Sequence, residues 1–277
     1  MKSPFFSIVI ATYNYGRFLE DAIKSVLCQT CQDYELIIVD GASKDNTLEI
    51  IKKYENRLSW WVSEPDNGQS DAFNKGFSHA SGRYFTWLNA DDVYIPGTLQ
   101  SVKEKLLKNP DARWATGNFI RFRESDKKII EAQWGPHFLP GFLQTFDSPL
   151  VIFGPTTFWS REIWNDIGPL DEKLHYNMDT DYWVRIMKAG YKQVRINHDC
   201  WAFRMHEESK TAEFDDHKVD DLLRQKIESD RKIIRERSGY QMSKTKHFLG
   251  IIMRLVDFSV MVAIYRRLFV VGEKIKL

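Results

Sequence analysis

Tyr84-Phe85-Thr86-Trp87-Leu88-Asn89-Ala90-Asp91-Asp92 is the stretch from which the rest of the chain is best read. Its first residues are aromatic and apolar, as a buried strand requires. It then stops at two adjacent carboxylates, followed by Val93-Tyr94-Ile95-Pro96-Gly97. A buried strand that ends this way sets two acids at the carboxyl edge of a sheet, the edge where open α/β sheets bind ligands. Side-by-side carboxylates repel, so they call for a cation or for generous solvation. Two readings follow from these residues alone. One is a solvated turn, since Asp is a common turn residue. The other is a seat for a hard divalent ion on a phosphate, because Mg²⁺ binds through one or two carboxylates plus phosphate oxygens.

Upstream, Phe6-Ser7-Ile8-Val9-Ile10-Ala11-Thr12 is a β-branched run suited to a buried parallel strand. Phe18, Leu19, Ala22, Ile23, Val26 and Leu27 then recur at helical spacing. Glu35-Leu36-Ile37-Ile38-Val39-Asp40 reads as a second buried strand ending in an acid. Gly41 to Thr47 is a turn with capping residues for a helix through Tyr54, and Leu58 to Ser63 reads as a third strand. This β-α-β-α-β order opens a doubly wound parallel sheet. Glu64-Pro65-Asp66-Asn67-Gly68 is loop chemistry, and Asp71 to Phe77 reads as a helix. Ala11-Thr12, Asp40 and Asp91-Asp92 therefore reach one expected edge. Turn solvation explains each alone, whereas a nucleotide-diphosphate site with a metal explains them together. No GxGxxG follows the first strand and no GxxxxGK[ST] occurs, which argues against a dinucleotide enzyme and a P-loop NTPase.

Downstream, a helix over Thr98–Leu107 stops at Asn109-Pro110. A strand over Trp114–Phe119, an exposed hairpin over 121–130, loops over 133–150, a strand over 152–159 and a helix over Arg161–Ile167 follow. The next helix has Tyr182, Trp183, Ile186 and Met187 on one face and Gly190 as its stop. Asp179 and Asp181 stand at its start, where carboxylates suit the helix dipole, so capping alone accounts for them. Strands are expected over Gln193–Ile196 and Trp201–His206. From about Glu213 the composition shifts to a charged helix over Val219–Arg237 and then to an apolar tail with basic interruptions over 244–277. Arg254 and Asp257 interrupt the tail's apolar run, and charges near the middle of a span are costly. The tail fits either an interfacial helix flanked by Lys244, Lys246, Arg266, Arg267, Lys274 and Lys276, or a helix packed on the domain or on another subunit of a homo-oligomer.

Across 277 residues, 39 basic and 38 acidic side chains nearly cancel, which speaks against nucleic acid as a partner. Three cysteines, Cys28, Cys31 and Cys200, are an odd number and suit a reduced cytosolic protein. The CxxC at Cys28 and Cys31 lacks a second pair or a nearby His for zinc. The first residues show no signal-peptide pattern. The expectation is a cytoplasmic location, with the tail on the inner face of the cytoplasmic membrane if it is interfacial.

Several ordered motifs resemble the GT-A fold glycosyltransferases of family 2. They are Ser7 to Asn14, Ser25-Val26-Leu27-Cys28-Gln29-Thr30, Ile38 to Thr47, Ser63 to Gly68 with Asp71 to Gly76, and Leu88 to Asp92, which resembles the DxD motif. Met178-Asp179-Thr180-Asp181-Tyr182-Trp183 resembles the family's later acidic motif, and Phe203-Arg204-Met205-His206-Glu207-Glu208-Ser209 its closing segment. The resemblance implies an α/β, Rossmann-like, mostly parallel central sheet flanked by helices, with a C-terminal helical extension. The domain would span 1–212, with a nucleotide half over 1–97 and an acceptor half over 98–212, and the extension 213–277.

The resemblance also implies site roles. Ala11, Thr12 and Tyr13 line the base pocket, Asp40 bonds the base or ribose, and Glu64 and Asp71 add nucleotide contacts. Many members carry a second acid where this chain has Gly41. Asp91 meets the ribose or the metal, and Asp92 and His206 meet the metal, Mn²⁺ or Mg²⁺. Asn89 replaces the first DxD acid, so Asp91 and Asp92 carry the cation's charge. Asp179 is the implied general base, and Asp181 is a second candidate that orients the loop or caps the helix. The implied reaction is inverting transfer from a nucleotide sugar, a UDP-sugar foremost, to a glycan or lipid-linked oligosaccharide. A nucleotidyltransferase is the same-fold alternative, although Tyr13-Asn14-Tyr15-Gly16 lacks the Gly-rich basic loop it needs. A non-catalytic nucleotide-sugar-binding homologue is the other.

Overall fold

The computed structural model describes residues 3–133, 154–174, 176–208, 221–239 and 259–275. The loops expected after Gln133, the start of the strand expected at Ile152, and Lys244, Lys246, Arg254, Asp257 and Lys276 of the tail lie outside the described residues. One nine-stranded sheet organises the rest. β1 (Phe6–Thr12), β2 (Tyr34–Asp40), β3 (Trp60–Ser63) and β4 (Tyr84–Asn89) run parallel in the order β3-β2-β1-β4. Their register aligns the carboxyl ends, with Thr12 opposite Asp40, Asp40 opposite Ser63, and Ala11 opposite Asn89. The acids and polar ends expected at one edge are thus level with one another.

Beyond β4 the sheet becomes mixed. After the short β5 (Val93–Tyr94), the chain forms β6 (Trp114–Arg123), β7 (Ile129–Gln133), β8 (Thr157–Ser160) and β9 (Gln193–Met205). β8 lies antiparallel between β4 and β6, β9 runs parallel to β6, and β5 pairs antiparallel with β9. The two strands expected over 193–206 are therefore one. Polar Asn197-His198-Asp199 hides the continuity, because the ladder to β6 passes them by shifting register at Asn118. The closing strand and the acidic turn meet through β5, where Val93 faces Ala202 and Tyr94 faces Trp201.

Helices cover both faces. They are α1 (Gly16–Leu27), α2 (Thr47–Tyr54), α3 (Gln69–Ser78), α4 (Thr98–Lys108), α5 (Arg161–Ile167) and α6 (Met178–Lys188). Strand alternation feeds both cores. Ile8 and Ile10 pack with Leu19, Ile23 and Leu99 on one side, while Val9 packs with Phe73, Trp87 and Tyr182 on the other. Trp183 of α6 stacks on Trp87 of β4 with ring centres 5.2 Å apart, and Trp159 meets both rings edge-on. Full burial of such a side chain contributes about 1.5–3 kcal/mol, so α6 is fixed against the strand that leads into the acidic turn.

Two further helices pack on this body. α7 (Asp221–Ser238) lies along α6 and buries Ile234 in the same core. α8 (Ser259–Phe269) is anchored by Arg266, which meets Asp199 of β9 at 2.5 Å. The chain after α8 adds backbone bonds to β7, among them Gly272 N to Ile129 O at 2.7 Å and Ile129 N to Glu273 O at 2.8 Å. The hairpin expected to be exposed is therefore partly covered. Phe122 and Ile129 are buried, packed in one cluster with Val270 and Ile275. Among the described residues, no helix is long and apolar enough to cross a membrane.

Candidate active site

The loops leaving β1 and β2 are stapled to each other. Asn14 and Ala42 both adopt left-handed backbone, at φ 56° and 61°, an uncommon conformation for residues other than glycine. Asn14 N–H donates to the Ser43 hydroxyl at 2.8 Å, and Lys44 N–H donates to Asn14 Oδ1 at 2.8 Å. Gly16 N–H donates to Asp45 at 2.9 Å. A Cβ on Gly16 would lie 2.1 Å from Asn46 Oδ1 and 2.8 Å from the Thr47 nitrogen, so the approach needs glycine.

The residues expected to hold the base and ribose come together here, but they do not present themselves alike. Tyr13 is 57% exposed, whereas Thr12 is buried and its hydroxyl has no partner among the described residues. Asp40 is fully buried. It accepts from the Ser63 hydroxyl at 2.6 Å, from Ser43 N–H at 3.2 Å, and from the Ser43 hydroxyl. Glu64 and Asp71 both pair with Lys75, at 3.1 and 3.5 Å, and Asp71 also accepts Asn67 N–H at 2.8 Å. These three acids hold the edge loops in shape.

The acidic turn is a relay of polar groups. Gln69 donates to Asn89 Oδ1 at 3.2 Å, and Asn89 Nδ2 donates to Asp92 Oδ2 at 2.8 Å. Asp92 Oδ1 accepts the backbone N–H of Arg204 at 2.9 Å. Burial first, and then the neighbouring Asp91 charge, push the Asp92 carboxyl well above the usual range. The amide at position 89 relieves that strain because it donates where a carboxylate would repel. Asn89→Asp should therefore cost about 1–3 kcal/mol, the scale for leaving a buried polar group without its partner. The penalty should grow with pH as the new acid ionises. Urea melts at several pH values measure it, and a variant as stable as the parent at neutral pH would refute the relay.

Asp91 and His206 approach from the other side of this turn. His206 Nε2 lies 3.2 Å from Asp91 Oδ2. The imidazole is positioned by the Phe18 ring at 4.3 Å and the Tyr15 ring at 6.0 Å. Tyr15 is itself partly buried beside Asp91 and Asp92, and burial followed by these charges raises its hydroxyl far above its ordinary value. The expected metal set of Asp91, Asp92 and His206 is thus divided. Asp91 and His206 stand together, while Asp92 lies behind them, fully buried with each oxygen bonded to a protein donor. No cluster of three or more His, Cys, Asp or Glu side chains with metal-site geometry occurs among the described residues. The Asp91 carboxylate suits Mn²⁺ or Mg²⁺, ions that take their remaining ligands from phosphate oxygens and water, and the imidazole is the softer ligand beside it.

Asp179 and Asp181 open α6 but have separate environments. Asp181 is fully buried between Arg185 at 2.8 Å and Arg237 of α7 at 3.1 Å. It ties α7 to α6 and makes no cap, since the cap residue is Asn177 and no side chain bonds there. Asp179 is partly buried, and its Oδ1 accepts from Thr180 N–H at 2.6 Å and from the Thr180 hydroxyl at 3.3 Å. Burial raises its carboxyl above the ordinary range. The helix start is set on the same sheet edge by Met178, whose sulfur accepts from the Ser70 hydroxyl at 3.0 Å.

Residues 7–207 match the sequence model of the family described as Glycosyl transferase family 2. The chain belongs to glycosyl transferase family 2. An uncharacterised glycosyltransferase of Nostoc is 41% identical over 175 residues, spanning 60% of this chain and 53% of the relative. One of Rickettsia typhi is 29% identical over 198 residues, spanning 68% of this chain and 60% of that protein. The family 2 fold is shared with solved structures at low identity. Staphylococcus aureus TarS 1–349 superposes with a TM-score of 0.60 at 16% identity, covering 95% of this chain and 91% of its own. Mannosyltransferase PcManGT from Pyrobaculum calidifontis gives 0.58 at 14% identity, covering 97% and 88%.

Sequence reasoning missed the residue that ties the acidic turn to the elements around it. Arg204 is 1% exposed. Its Nε donates to the Asp91 carbonyl at 2.7 Å, Nη1 to Glu124 at 2.6 Å and Nη2 to Asp21 at 2.9 Å. Arg204 stands two residues before His206 in the strand expected over Trp201–His206, so alternation would put the two on one face. That periodicity was the available signal for Arg204. Gln69 and Arg237 carried none, because their partners are distant in sequence.

Proposed function

We propose that this protein is an inverting, metal-assisted transferase that moves a sugar from a nucleoside-diphosphate sugar, a UDP-sugar foremost, to a hydroxyl of a glycan or lipid-linked acceptor in surface polysaccharide synthesis. The observation that carries this reading is the Asp91–His206 pair, 3.2 Å apart at the carboxyl edge of the parallel strands. Relatives lend support. TarS has been solved with UDP-GlcNAc and PcManGT with GDP-Man and Mn²⁺. A Mycobacterium bovis relative, 29% identical over 207 residues, is named a PGL/p-HBAD biosynthesis glycosyltransferase.

Asp91 and His206 would hold the cation, and Asp92 with Asn89 and Arg204 would keep that pair in place. The cation, when bound, would offset the charge that builds on the departing diphosphate. Asp179 would take the proton of the acceptor hydroxyl. The hydroxyl oxygen forms the new bond to the anomeric carbon. The bond from that carbon to the diphosphate oxygen breaks, its electron pair leaving with the nucleoside diphosphate. Residues 1–97 would bind the donor and 98–212 the acceptor. A panel of nucleotide sugars with Mn²⁺ tests the reading. One donor should be hydrolysed or transferred in a Mn²⁺-dependent way, and His206→Gln should weaken that donor's Mn²⁺-dependent binding by roughly 10–100-fold, the usual cost of disturbing a metal site. No turnover and no binding across the panel would reject it.

The tail adds a membrane-surface contact to this reading. Arg266 anchors α8 inward, while Met261, Ile264, Tyr265, Leu268 and Phe269 are all more than half exposed. Their spacing makes one apolar row on the helix, beside exposed Arg267. A tail packed on the domain and a tail meeting lipid are thus compatible. Co-sedimentation with anionic liposomes should fall when Leu268 and Phe269 are both changed to Ser, and unchanged binding would exclude this face.

A further inference from the structure

Gly41 leaves a gap at the nucleotide edge, and another residue fills it. A Cβ on Gly41 would lie 2.6 Å from Asp66 Oδ2, 3.2 Å from Asp66 Cγ and 3.2 Å from the Tyr13 ring. The Asp66 carboxylate, carried on the loop after β3, therefore occupies the space a side chain at 41 would take. Its Oδ1 accepts Gly68 N–H at 2.9 Å and so holds the loop turn. Its Oδ2 has no hydrogen-bond donor among the described residues, and Asp66 is partly exposed. The other acids of this edge are occupied. Asp40 is enclosed by Ser43 and Ser63, Asp45 is bonded to Gly16 and Thr47, and Glu64 and Asp71 are paired with Lys75. Asp66 alone among them offers a carboxylate oxygen beside the exposed face of Tyr13.

Resting on the proposed nucleotide-sugar site, we infer that Asp66, and not Asp40, reads the donor's base, and that it selects a base with a ring N–H on its pairing edge. An ionised carboxylate only accepts hydrogen bonds. Uracil and guanine present a ring N–H there. Cytosine and adenine present a ring nitrogen lone pair, which the carboxylate repels. Tyr13 supplies the stacking surface, which is tolerant of base identity. Selection therefore falls to Asp66, and the absence of a side chain at Gly41 is what lets it reach the site.

Calorimetry of UDP, GDP, CDP and ADP with Mn²⁺, and of inorganic pyrophosphate with Mn²⁺, tests this on the full chain. The parent protein should bind UDP or GDP at least about tenfold tighter than CDP and ADP, and the stronger of the two names the base. Asp66→Asn keeps an oxygen for Gly68 N–H but puts an amide donor where the carboxylate was. It should bind the preferred nucleotide about tenfold more weakly, with pyrophosphate binding unchanged. Gly41→Ala should reproduce that loss by displacing Asp66. Gly41→Asp combined with Asp66→Ala should recover much of it by returning a carboxylate to the same space. Asp66→Asn binding the preferred nucleotide within twofold of the parent overturns the inference and leaves the transferase reading intact. A parent protein that binds no nucleoside diphosphate overturns both.

Discussion

Asp179→Asn should lower sugar transfer by about 10²–10⁴-fold, the usual contribution of a positioned general base. Donor binding should stay within a few-fold of the parent, because Asp179 lies on α6 and not on the loops that hold the nucleotide edge. The physical ground is that a sugar hydroxyl is a poor nucleophile at neutral pH unless its proton has somewhere to go. An ordinary exposed carboxylate is a weak base. Burial raises Asp179, which makes it a stronger one. The sign of the pH dependence follows. The base acts only when deprotonated, so turnover should fall as pH drops through this raised range, above where an exposed Asp would titrate. In Asp179→Asn that acid limb should disappear from whatever activity remains. Turnover near that of the parent, or an unchanged acid limb, would remove Asp179 from the chemistry. Asp181→Asn separates the roles. Its charge is spent on Arg185 and Arg237, so that variant should lose stability while keeping the acid limb.

The contrast between these two acids shows what the sequence could and could not convey. The parallel half of the sheet was legible because its signals are local. Val9, Ile37 and Val39 alternate or run together within single strands, and Asp40 and Asp91 follow at their ends. The register that levels those ends comes from the parallel ladder itself. The acidic residues were legible as a group, but not their orientations. In sequence Asp40 looks like a nucleotide contact, Asp92 like a metal ligand and Asp181 like a second candidate base or a helix cap. The structure gives each of them protein donors, from the Ser63 hydroxyl, the Arg204 N–H and the Arg237 guanidinium, at separations of 23, 112 and 56 residues. Such pairings depend on tertiary packing that no local pattern encodes. Asp66 illustrates the converse. It reads as a turn residue in Glu64-Pro65-Asp66-Asn67-Gly68, and only its approach to Gly41 brings it to the site. β9 was divided in the reading because its polar middle breaks the apolar run, although the ladder continues through it.

Arg204→Met should cost about 3 kcal/mol of stability, the lower end for removing one partner of a buried ionic cluster. The lower end applies because Asp21 is 45% exposed in its side chain and can be hydrated again, whereas Glu124 at 21% is less able to recover. Methionine retains contact with the Phe18 and Phe122 rings that flank the guanidinium at 5.1 and 5.3 Å, so the loss reports on the polar bonds more than on packing. The same substitution frees the Asp91 carbonyl, and the acidic turn should then hold its carboxylate less rigidly. Mn²⁺-dependent donor binding should weaken with stability, which a purely structural arginine remote from the turn would not produce. Arg204→Lys supplies a point charge without the fork and can serve only one of the three acceptors well, so it should fall between the parent and Arg204→Met. The pH dependence gives an independent check. Burial opposes the charged form of Glu124, but its bonds to Lys127 and Arg204 outweigh that and hold its carboxyl below the usual range. A depressed carboxylate contributes stability above its unfolded value and loses it as pH falls through the folded one. The parent should therefore lose stability on acidification through that window, and Arg204→Met should lose less, because only Lys127 remains to hold Glu124 charged. Urea midpoints across this pH range decide it. Equal midpoints in parent and Arg204→Met would mean that the acidic turn is positioned by Asn89 and Asp92 alone.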